Sequence, residues 1–300
     1  MNLIVTRCYF IIHIEVKVEL YTKFALKNYL TFRGLKLQKL LNISQRILDK
    51  LKIFKLYFSY DYQEILVKQN SLYDQIGLNR EKAHETLADI YLNHPGLDIL
   101  KSEHHTLFAA LSSNQKIKTI LEIGTYAASF TKLLSILYPD AEITTMDLPD
   151  DDPIFKQTYD RNIINERLRF ISERNSLIES CANVNFVQEN SLLLINNRDL
   201  KFDLIWVDGA HGYPMIAMDI VNSLSCLAKK GFMFIDDVWI DRSQNDSNYR
   251  SIGAFESILA LKNAGLIDYV LIPKRIEFPH GEGHLKKYIA RVIRSEDFKE

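Results

Sequence analysis

The segment Ile120–Ser129 constrains the fold of this chain more than any other stretch. It begins with an apolar run, reaches Gly124, passes through a turn of small residues and leads into a helical pattern from Phe130. A strand, a tight turn and a helix in this order form the opening unit of an open α/β sheet. Because Gly124 has no side chain, a ligand can approach the main chain closely at this turn. The amides of the following helix face the crevice in which such sheets bind ligands.

The rest of the chain predicts four more strand-helix units and a final pair of strands. We predict strands at 118–123, 142–146, 184–188, 202–207, 232–235, 269–272 and 287–292. Helices are predicted over 165–180, 214–230 and 254–264, with Pro214 in a first helical turn and Gly231 as a helix stop. The fold class is therefore α/β, with a doubly wound, mostly parallel seven-stranded sheet.

The first 78 residues differ in character from residues 79–300, which we predict to be the main domain. Residues 12–20 alternate between apolar and polar side chains, as in a half-buried strand. Residues 21–58 contain nine Lys or Arg and one acid, and Lys39, Arg46 and Lys50 lie off the apolar stripe of a predicted helix. We expect this basic helix to pack on the main domain or on a second subunit, forming a homo-oligomer. The alternative is contact with an anionic membrane surface or an acidic partner. Residues 81–111 are predicted to be helical, with a break at 94–96.

Composition and charge exclude several classes of protein. Apolar residues make up 47% of the chain, as in a globular protein, and the net charge of −1 gives no reason to expect nucleic-acid binding. Cys8, Cys181 and Cys226 show neither metal-ligand spacing nor an even disulfide count, which indicates a reducing compartment. We find no apolar run of about 18 residues and no signal-peptide cleavage site, so we predict a cytoplasmic protein.

Acidic residues follow most of the predicted strands, where parallel sheets place their sites. Asp147 lies 23 residues after Gly124, close to the spacing at which an acid binds the hydroxyls of a ribose. Glu122, within the first strand, is either a site residue or a partly solvated strand end. Glu189 and Asn190 follow the third strand.

A sharper group is formed by Asp208, Asp236 and Asp237. The fourth and fifth strands should be neighbours, so we expect these carboxylates to converge. Two unit charges 4 Å apart repel by roughly 4 kcal/mol near a protein surface, so such a group needs a raised pKa, a basic partner or a cation. Oxygen ligands alone suit Mg²⁺ or a similar hard divalent ion. The alternative is that one residue of the pair Asp236-Asp237 points away and caps the next helix.

His211 lies three residues after Asp208, at the same predicted edge. A histidine has an ordinary pKa near 6.5, which suits a general base. The alternative is a histidine at the start of a helix, bonded to a backbone carbonyl.

With these residues in view, residues 99–294 resemble the class I S-adenosylmethionine-dependent methyltransferases, which have a Rossmann-like fold. Glu122, Gly124, Thr125 and Tyr126 resemble the first motif of that family, Asp147 its ribose acid, and Glu189, Asn190 and Ser191 the segment beside the adenine. The stretches 206–211 and 234–237 are similar to the metal-dependent O-methyltransferases, which include macrolide-sugar and catechol-type enzymes. In that branch the acids matching Asp208, Asp236 and Asp237 bind Mg²⁺, and the sugar-modifying members use the matching histidine as base.

The resemblance implies S-adenosylmethionine as cofactor, bound also by Asp208, and methylation of a hydroxyl on a sugar or small polyol with assistance from Mg²⁺. From position, Trp239, Arg242, Asn245 and Tyr249 are predicted to line the acceptor side. One departure is Ala128, where the family often has glycine. The alternatives are a metal-free methyltransferase for another acceptor, a nicotinamide-dependent oxidoreductase, and a non-catalytic scaffold. The oxidoreductase is disfavoured because the turn lacks Gly-x-Gly-x-x-Gly, and the scaffold because it has no use for clustered anions.

Overall fold

A computed structural model describes residues 60–95, 97, 102–114, 116–159, 161–196, 199–241, 251–276 and 287–298. Nearly all of them belong to one compact unit, Gln63–Glu277 and His284–Glu300. The predicted strand at 12–20 and the basic helix carrying Lys39, Arg46 and Lys50 lie outside the described residues. The domain boundary near residue 78 and the oligomeric and membrane contacts of that helix stay predictions.

A seven-stranded sheet forms the centre of the described chain. Its strands are β1 (Thr119–Ile123), β2 (Glu142–Asp147), β3 (Val184–Gln188), β4 (Phe202–Val207), β5 (Leu227–Trp239), β6 (Ile267–Pro273) and β7 (Lys287–Arg294). They lie in the order β3-β2-β1-β4-β5-β7-β6. The pairs among β1 to β5 are parallel, and β7 is antiparallel to both β5 and β6. The predicted doubly wound, mostly parallel sheet is therefore confirmed, including the terminal pair.

Eight α-helices are described around the sheet. They are α1 (Tyr62–Gln75), α2 (Arg80–Asn93), α3 (Glu103–Asn114), α4 (Ser129–Leu137), α5 (Pro153–Gln157), α6 (Ile164–Glu179), α7 (Met215–Cys226) and α8 (Gly253–Asn263). The predicted break between two helices near Pro95 is confirmed. In the part of the chain that the structure describes, no helix has the length and apolarity needed to cross a membrane.

Two apolar cores lie on opposite faces of the sheet because strand side chains alternate between faces. Ile120 of β1 belongs to the core that contains Leu133 and Leu134 of α4. Leu121 of β1 belongs to the other core, with Ile220 of α7. Burial on both faces explains why the inner strands are almost continuously apolar in sequence.

The helix predicted to end at Lys230 is shorter than expected. Helix α7 ends at Cys226, and β5 already begins at Leu227, which is fully buried and pairs with Phe202 of β4. Tertiary pairing thus determines the boundary, whereas the apolar pattern alone allowed the helix to continue.

Candidate functional site

A cavity of about 360 Å³ opens at the carboxyl edge of the parallel strands, within the usual size range of small-molecule sites. Residues from the ends of β1, β2, β3 and β4 line it together. They are Ile123, Gly124, Tyr126, Met146, Asp147, Leu148, Tyr159, Arg161, Glu189, Asn190, Ser191, Asp208, Gly209, Ala210, His211, Met215 and Asp219. The structure thus brings together most of the residues predicted to bind a cofactor.

Gly124 forms part of the cavity floor through its main chain. Its φ is +101°, and a Cβ atom placed there would lie 2.3 Å from the carbonyl oxygen of Asp208. Its amide donates to Met146 O at 2.9 Å, while the amide of Asp208 donates to Ile123 O at 2.8 Å. Only glycine fits this close packing of strand ends.

Asp147 is held in a fixed orientation at the end of β2. Its two carboxylate oxygens accept hydrogen bonds from the amides of Tyr126 (2.9 Å) and Leu148 (2.8 Å). Burial raises the pKa of Asp147, and these amides together with Arg161 and Arg174 oppose the rise. Each oxygen retains a lone pair for a further donor, as binding of a ribose diol requires.

Two residues of the first motif do not line the cavity. The Glu122 carboxylate is buried and accepts hydrogen bonds from the hydroxyls of Thr131 (2.5 Å) and Thr145 (2.6 Å). Burial raises its pKa to about 7. Thr125 is also buried, and its hydroxyl lies 2.7 Å from that of Thr145. Glu122 is therefore not a partly solvated strand end, and its carboxylate does not line the cavity.

Asp219 of α7 is a cavity residue that sequence reasoning missed. Its carboxylate accepts a hydrogen bond from the hydroxyl of Ser191 at 2.6 Å, and burial raises its pKa to about 6. An acid on the buried face of an otherwise apolar helix was the available signal, since such a position requires a polar partner.

Aromatic rings and one guanidinium border the cavity beyond Asp147. The rings of Tyr126 and Tyr159 meet edge to face at 5.2 Å. The Arg161 guanidinium lies 4.0 Å from the centroid of Phe155 and 5.0 Å from that of Phe170. This wall offers flat, polarizable surface next to a carboxylate, which suits a nucleoside.

Ala128 caps α4 in a left-handed conformation, with φ of 61°, and is buried. A left-handed alanine costs roughly 1–2 kcal/mol relative to glycine. The left-handed backbone of Ala128 is a conformation in which glycine is favoured, which gives a physical reason for the glycine expected at this position.

His211 lies at the side of the cavity nearest to β5. Its Nε2 atom is 3.6 Å from Asp208 Oδ1 and 3.9 Å from Asp237 Oδ2. Burial lowers the pKa of His211, and the carboxylates of Asp237 and Asp236 only partly oppose this effect. The lowered pKa favours the neutral imidazole, in which one ring nitrogen can accept a proton.

A β-bulge directs both carboxylates of the pair Asp236-Asp237 toward one cation. From Ile235 to Val238 the β5 chain takes three steps against two on β7, and Asp237 has a φ of +49°. In a regular strand adjacent side chains would point to opposite faces. The alternative in which one of the two acids points away and caps a helix is therefore wrong.

That cation is the ammonium of Lys274. Its Nζ atom lies 2.5 Å from Asp236 Oδ2 and 2.6 Å from Asp237 Oδ1, and Lys287 Nζ lies 2.5 Å from Asp237 Oδ2. Burial acts to lower the pKa of Lys274, but Asp236, Asp237 and Asp208 raise it above its ordinary value. The two lysines hold the pKa of Asp237 well below its usual range despite burial. For Asp208, burial and the neighbouring Asp236 raise the pKa.

The predicted Mg²⁺ does not fit this arrangement. Mg²⁺ requires oxygen ligands at about 2.0–2.1 Å in near-octahedral geometry. Asp236 Oδ2 and both carboxylate oxygens of Asp237 already accept from ammonium groups, which leaves Asp236 Oδ1 as the one oxygen of this pair without a partner in the described ranges. Among the described residues, no group of three or more His, Cys, Asp or Glu side chains is arranged to hold a metal ion. A basic partner was one of the three ways of balancing these acids that the sequence left open, and Lys274 with Lys287 fills that role.

The predicted acceptor residues are only partly described. Trp239 is fully buried, donates its indole N–H to Asp241 O at 2.9 Å and does not line the cavity. Arg242, Asn245 and Tyr249 lie outside the described residues.

Sequence reasoning also missed Lys274 and Lys287, although a topological signal existed. Because β7 is antiparallel to β5, its first residue lies at the same sheet edge as the carboxyl end of β5. Lys274 directly follows β6, and its main-chain amide donates to Lys287 O at 3.0 Å. A basic residue at each of these positions, facing adjacent acids, indicates ion pairing.

An open α/β sheet with an antiparallel seventh strand, and a cavity at the carboxyl ends of its parallel strands, has the Rossmann-like methyltransferase fold. Residues 121–238 match the family model described as a methyltransferase domain. The chain thus contains an S-adenosylmethionine-dependent methyltransferase domain.

Comparisons of whole chains give more distant similarities. A search of curated proteins finds no match. A Staphylococcus aureus protein provisionally assigned as a caffeoyl-CoA O-methyltransferase is 15% identical, with a TM-score of 0.45 over 70% of this chain and 91% of that chain. The N-methyltransferase NodS from Bradyrhizobium japonicum is 20% identical, with a TM-score of 0.41 over 64% and 94%. The Podospora anserina methyltransferase PaMTH1, bound to S-adenosylhomocysteine, is 18% identical, with a TM-score of 0.43 over 63% and 78%. Similarity at this level does not determine a substrate.

Proposed function

We propose that the domain transfers a methyl group from S-adenosylmethionine to a hydroxyl of a small polar acceptor, such as a sugar or polyol, with His211 as general base. One observation carries this proposal: His211 lines the same cavity as Gly124 and Asp147, 3.6 Å from Asp208. A neutral imidazole therefore faces the region in which cofactor and acceptor would meet.

The cavity residues suit this cofactor. Asp147, fixed by two amides, would accept hydrogen bonds from the ribose hydroxyls, and Glu189, Asn190 and Ser191 lie where the adenine would bind. The Asp208 carboxylate would accept from the amino group of the methionine part. When bound, S-adenosylmethionine supplies a methyl group on a positively charged sulfur, which leaves as a neutral thioether.

His211 addresses the weak nucleophilicity of a neutral hydroxyl. As the acceptor oxygen forms its bond to the methyl carbon, the hydroxyl proton passes to Nε2 of His211, and the electron pair of the broken C–S bond remains on sulfur. Asp208 and Asp237, at 3.6 and 3.9 Å from that nitrogen, would stabilise the imidazolium that results. The site also holds acceptor and methyl carbon in line, which is a large part of catalysis for an activated methyl group.

No step is assigned to Mg²⁺, because two of the three acids predicted to bind it, Asp236 and Asp237, are paired with Lys274 and Lys287. Of the alternatives weighed from sequence, metal-free methyl transfer has the most support from the contacts of the site.

The test is a survey of acceptors with S-adenosylmethionine, in which S-adenosylhomocysteine formation and product mass are measured for sugars, polyols, phenols and amines. We expect O-methylated product with the wild-type protein, and a decrease of turnover by roughly 10²–10⁴ in His211→Ala, the usual contribution of a positioned base. Cofactor affinity should be retained in this variant.

The matched control is His94→Ala, which alters an exposed histidine after α2 and should leave turnover unchanged. Methylation of amines only, or a His211→Ala variant as active as wild type, would rule out base-assisted transfer to a hydroxyl.

A further inference from the structure

Lys274 is a buried lysine for which the proposed chemistry has no step. Its side chain is only 8% exposed, and that of Asp236 is 2% exposed. A buried ammonium is tolerated only when it is paired, so its position between two carboxylates is a specific arrangement.

The main chain around Lys274 fixes it at this place. The carbonyl oxygen of Lys274 accepts from the amide of Glu103, the first residue of α3, at 2.8 Å, and its own amide donates to Lys287 O at 3.0 Å. The carbonyl oxygen of the preceding Pro273 accepts from Gln69 of α1 at 3.1 Å. Two helices and β7 therefore position the ammonium.

The charges around Lys274 also favour an ammonium over a metal ion at this place. Asp208, Asp236 and Asp237 bring up to three negative charges to the end of β4 and the bulge of β5, while Lys274 and Lys287 bring two positive charges to the same place. Asp237 joins the groups, since its carboxylate contacts both lysines and lies 3.9 Å from His211 Nε2. A divalent ion at these carboxylates would have to break the ion pairs and would leave a buried ammonium beside it.

We infer that Lys274, supported by Lys287, is the built-in cation of the acceptor site and holds the place that a divalent metal would occupy between Asp236 and Asp237. The three carboxylates then form no metal site in this chain, and the ammonium keeps Asp237 oriented beside His211. The assignment to the acceptor side rests on the proposed function, whereas the ion pairing and its test do not.

The test is a titration with Mn²⁺, followed by the loss of its free-ion electron paramagnetic resonance signal. Wild-type protein should show no binding that depends on Asp237. Lys274→Met, which keeps the length and apolar bulk of the stem, should gain one Mn²⁺ per chain. Combining it with Asp237→Asn should abolish the gained site.

Two matched variants separate this effect from a general change of charge. Lys274→Arg keeps the positive charge and should gain no site. Lys262→Met removes an exposed lysine that pairs with Asp268 and does not belong to the acidic cluster. This variant should behave as wild type.

Binding of Mn²⁺ to the wild-type protein that disappears in Asp237→Asn would overturn the inference, as would a folded Lys274→Met that gains no site. If Lys274→Met does not fold, the wild-type titration with its Asp237→Asn control still decides. Wild-type turnover should also be unchanged by a chelator. If no O-methylated product forms at all, the proposed function alone is contradicted, because the Mn²⁺ titration does not require turnover.

Discussion

The main-chain amide of Tyr126 donates a hydrogen bond to Asp147 Oδ2 at 2.9 Å, which ties the turn after β1 to the end of β2. The same carboxylate accepts from Leu148 through its other oxygen. Asp147 therefore positions the turn and also has oxygen lone pairs available to a ligand.

Replacing Asp147 with alanine should weaken the binding of S-adenosylmethionine by roughly 1.5–3 kcal/mol, the scale of hydrogen bonds to a charged group. Isothermal titration calorimetry measures this directly. The control is Asp268→Ala, at an exposed acid that pairs with Lys262, and its affinity should equal that of wild type. Unchanged affinity in Asp147→Ala would remove the residue from the cofactor site.

The stability of the domain should fall as pH rises toward neutrality, because of Glu122. Burial raises its pKa in the folded protein from 4.5 to about 7. The folded state then binds the proton more tightly than the unfolded state, so this contribution is fully present below about pH 4.5 and is lost as pH rises through about 7. The slope from this one group reaches at most about 1.4 kcal/mol per pH unit.

Urea denaturation of wild type and Glu122→Gln between pH 4.5 and 8 measures this contribution. The neutral amide should flatten the pH dependence, whereas Glu142→Gln, at an exposed residue of β2, should leave it as in wild type. Parallel curves for wild type and Glu122→Gln would contradict the assignment.

Gly124→Ala should destabilise the domain far more than Gly77→Ala, although both glycines have a positive φ. The added methyl group would lie 2.3 Å from Asp208 O, a contact that the packed strand ends cannot relieve. Gly77 is the matched control, since its φ is +75° and a Cβ atom there meets nothing within 4 Å. We expect Gly77→Ala to cost roughly 1–2 kcal/mol. Gly124→Ala should cost several kcal/mol more in urea denaturation; equal costs would show that the strand ends can separate.

Glu103→Gln should lower the free energy of unfolding by roughly 1.5–3 kcal/mol, the scale of hydrogen bonds to a charged group, because it removes the carboxylate that pairs with the buried Arg80. Glu103 accepts from Arg80 Nε at 2.8 Å and Nη2 at 2.7 Å, and both side chains are nearly inaccessible. Lys68→Ala breaks the exposed pair of Lys68 with Glu64 and should change stability by less than about 0.5 kcal/mol. A change below about 0.5 kcal/mol for Glu103→Gln in urea denaturation would contradict a stabilising role for this buried pair.

The sequence predicts the parallel part of this fold well because its signals are local. The strands 184–188 and 202–207 match the observed bounds, since each is a short stretch rich in β-branched or aromatic residues between polar turns. Asp147 and Asp208 could be placed in one site because the carboxyl ends of parallel strands meet at one edge. The face of the sheet on which the Glu122 side chain lies could not be predicted, because β1 is buried on both faces.

Other features depend on contacts between distant segments. The β5 bulge that aligns Asp236 with Asp237 arises from register against β7, some 50 residues later, and leaves no local pattern. The partner of both acids, Lys274, follows a different strand. Charge repulsion among the acids correctly required a compensating cation, but could not choose between a bound ion and an ammonium group.

The acids and the lysines of the cluster lie in separate stretches of the chain. The segment 121–238 that matches the methyltransferase family ends directly after Asp237, so it carries every carboxylate of the cluster and neither of its lysines. Lys274 and Lys287 come from the antiparallel strand pair that follows it. Substitutions in this terminal strand pair should therefore change the charge that balances the acids while leaving the segment 121–238 intact.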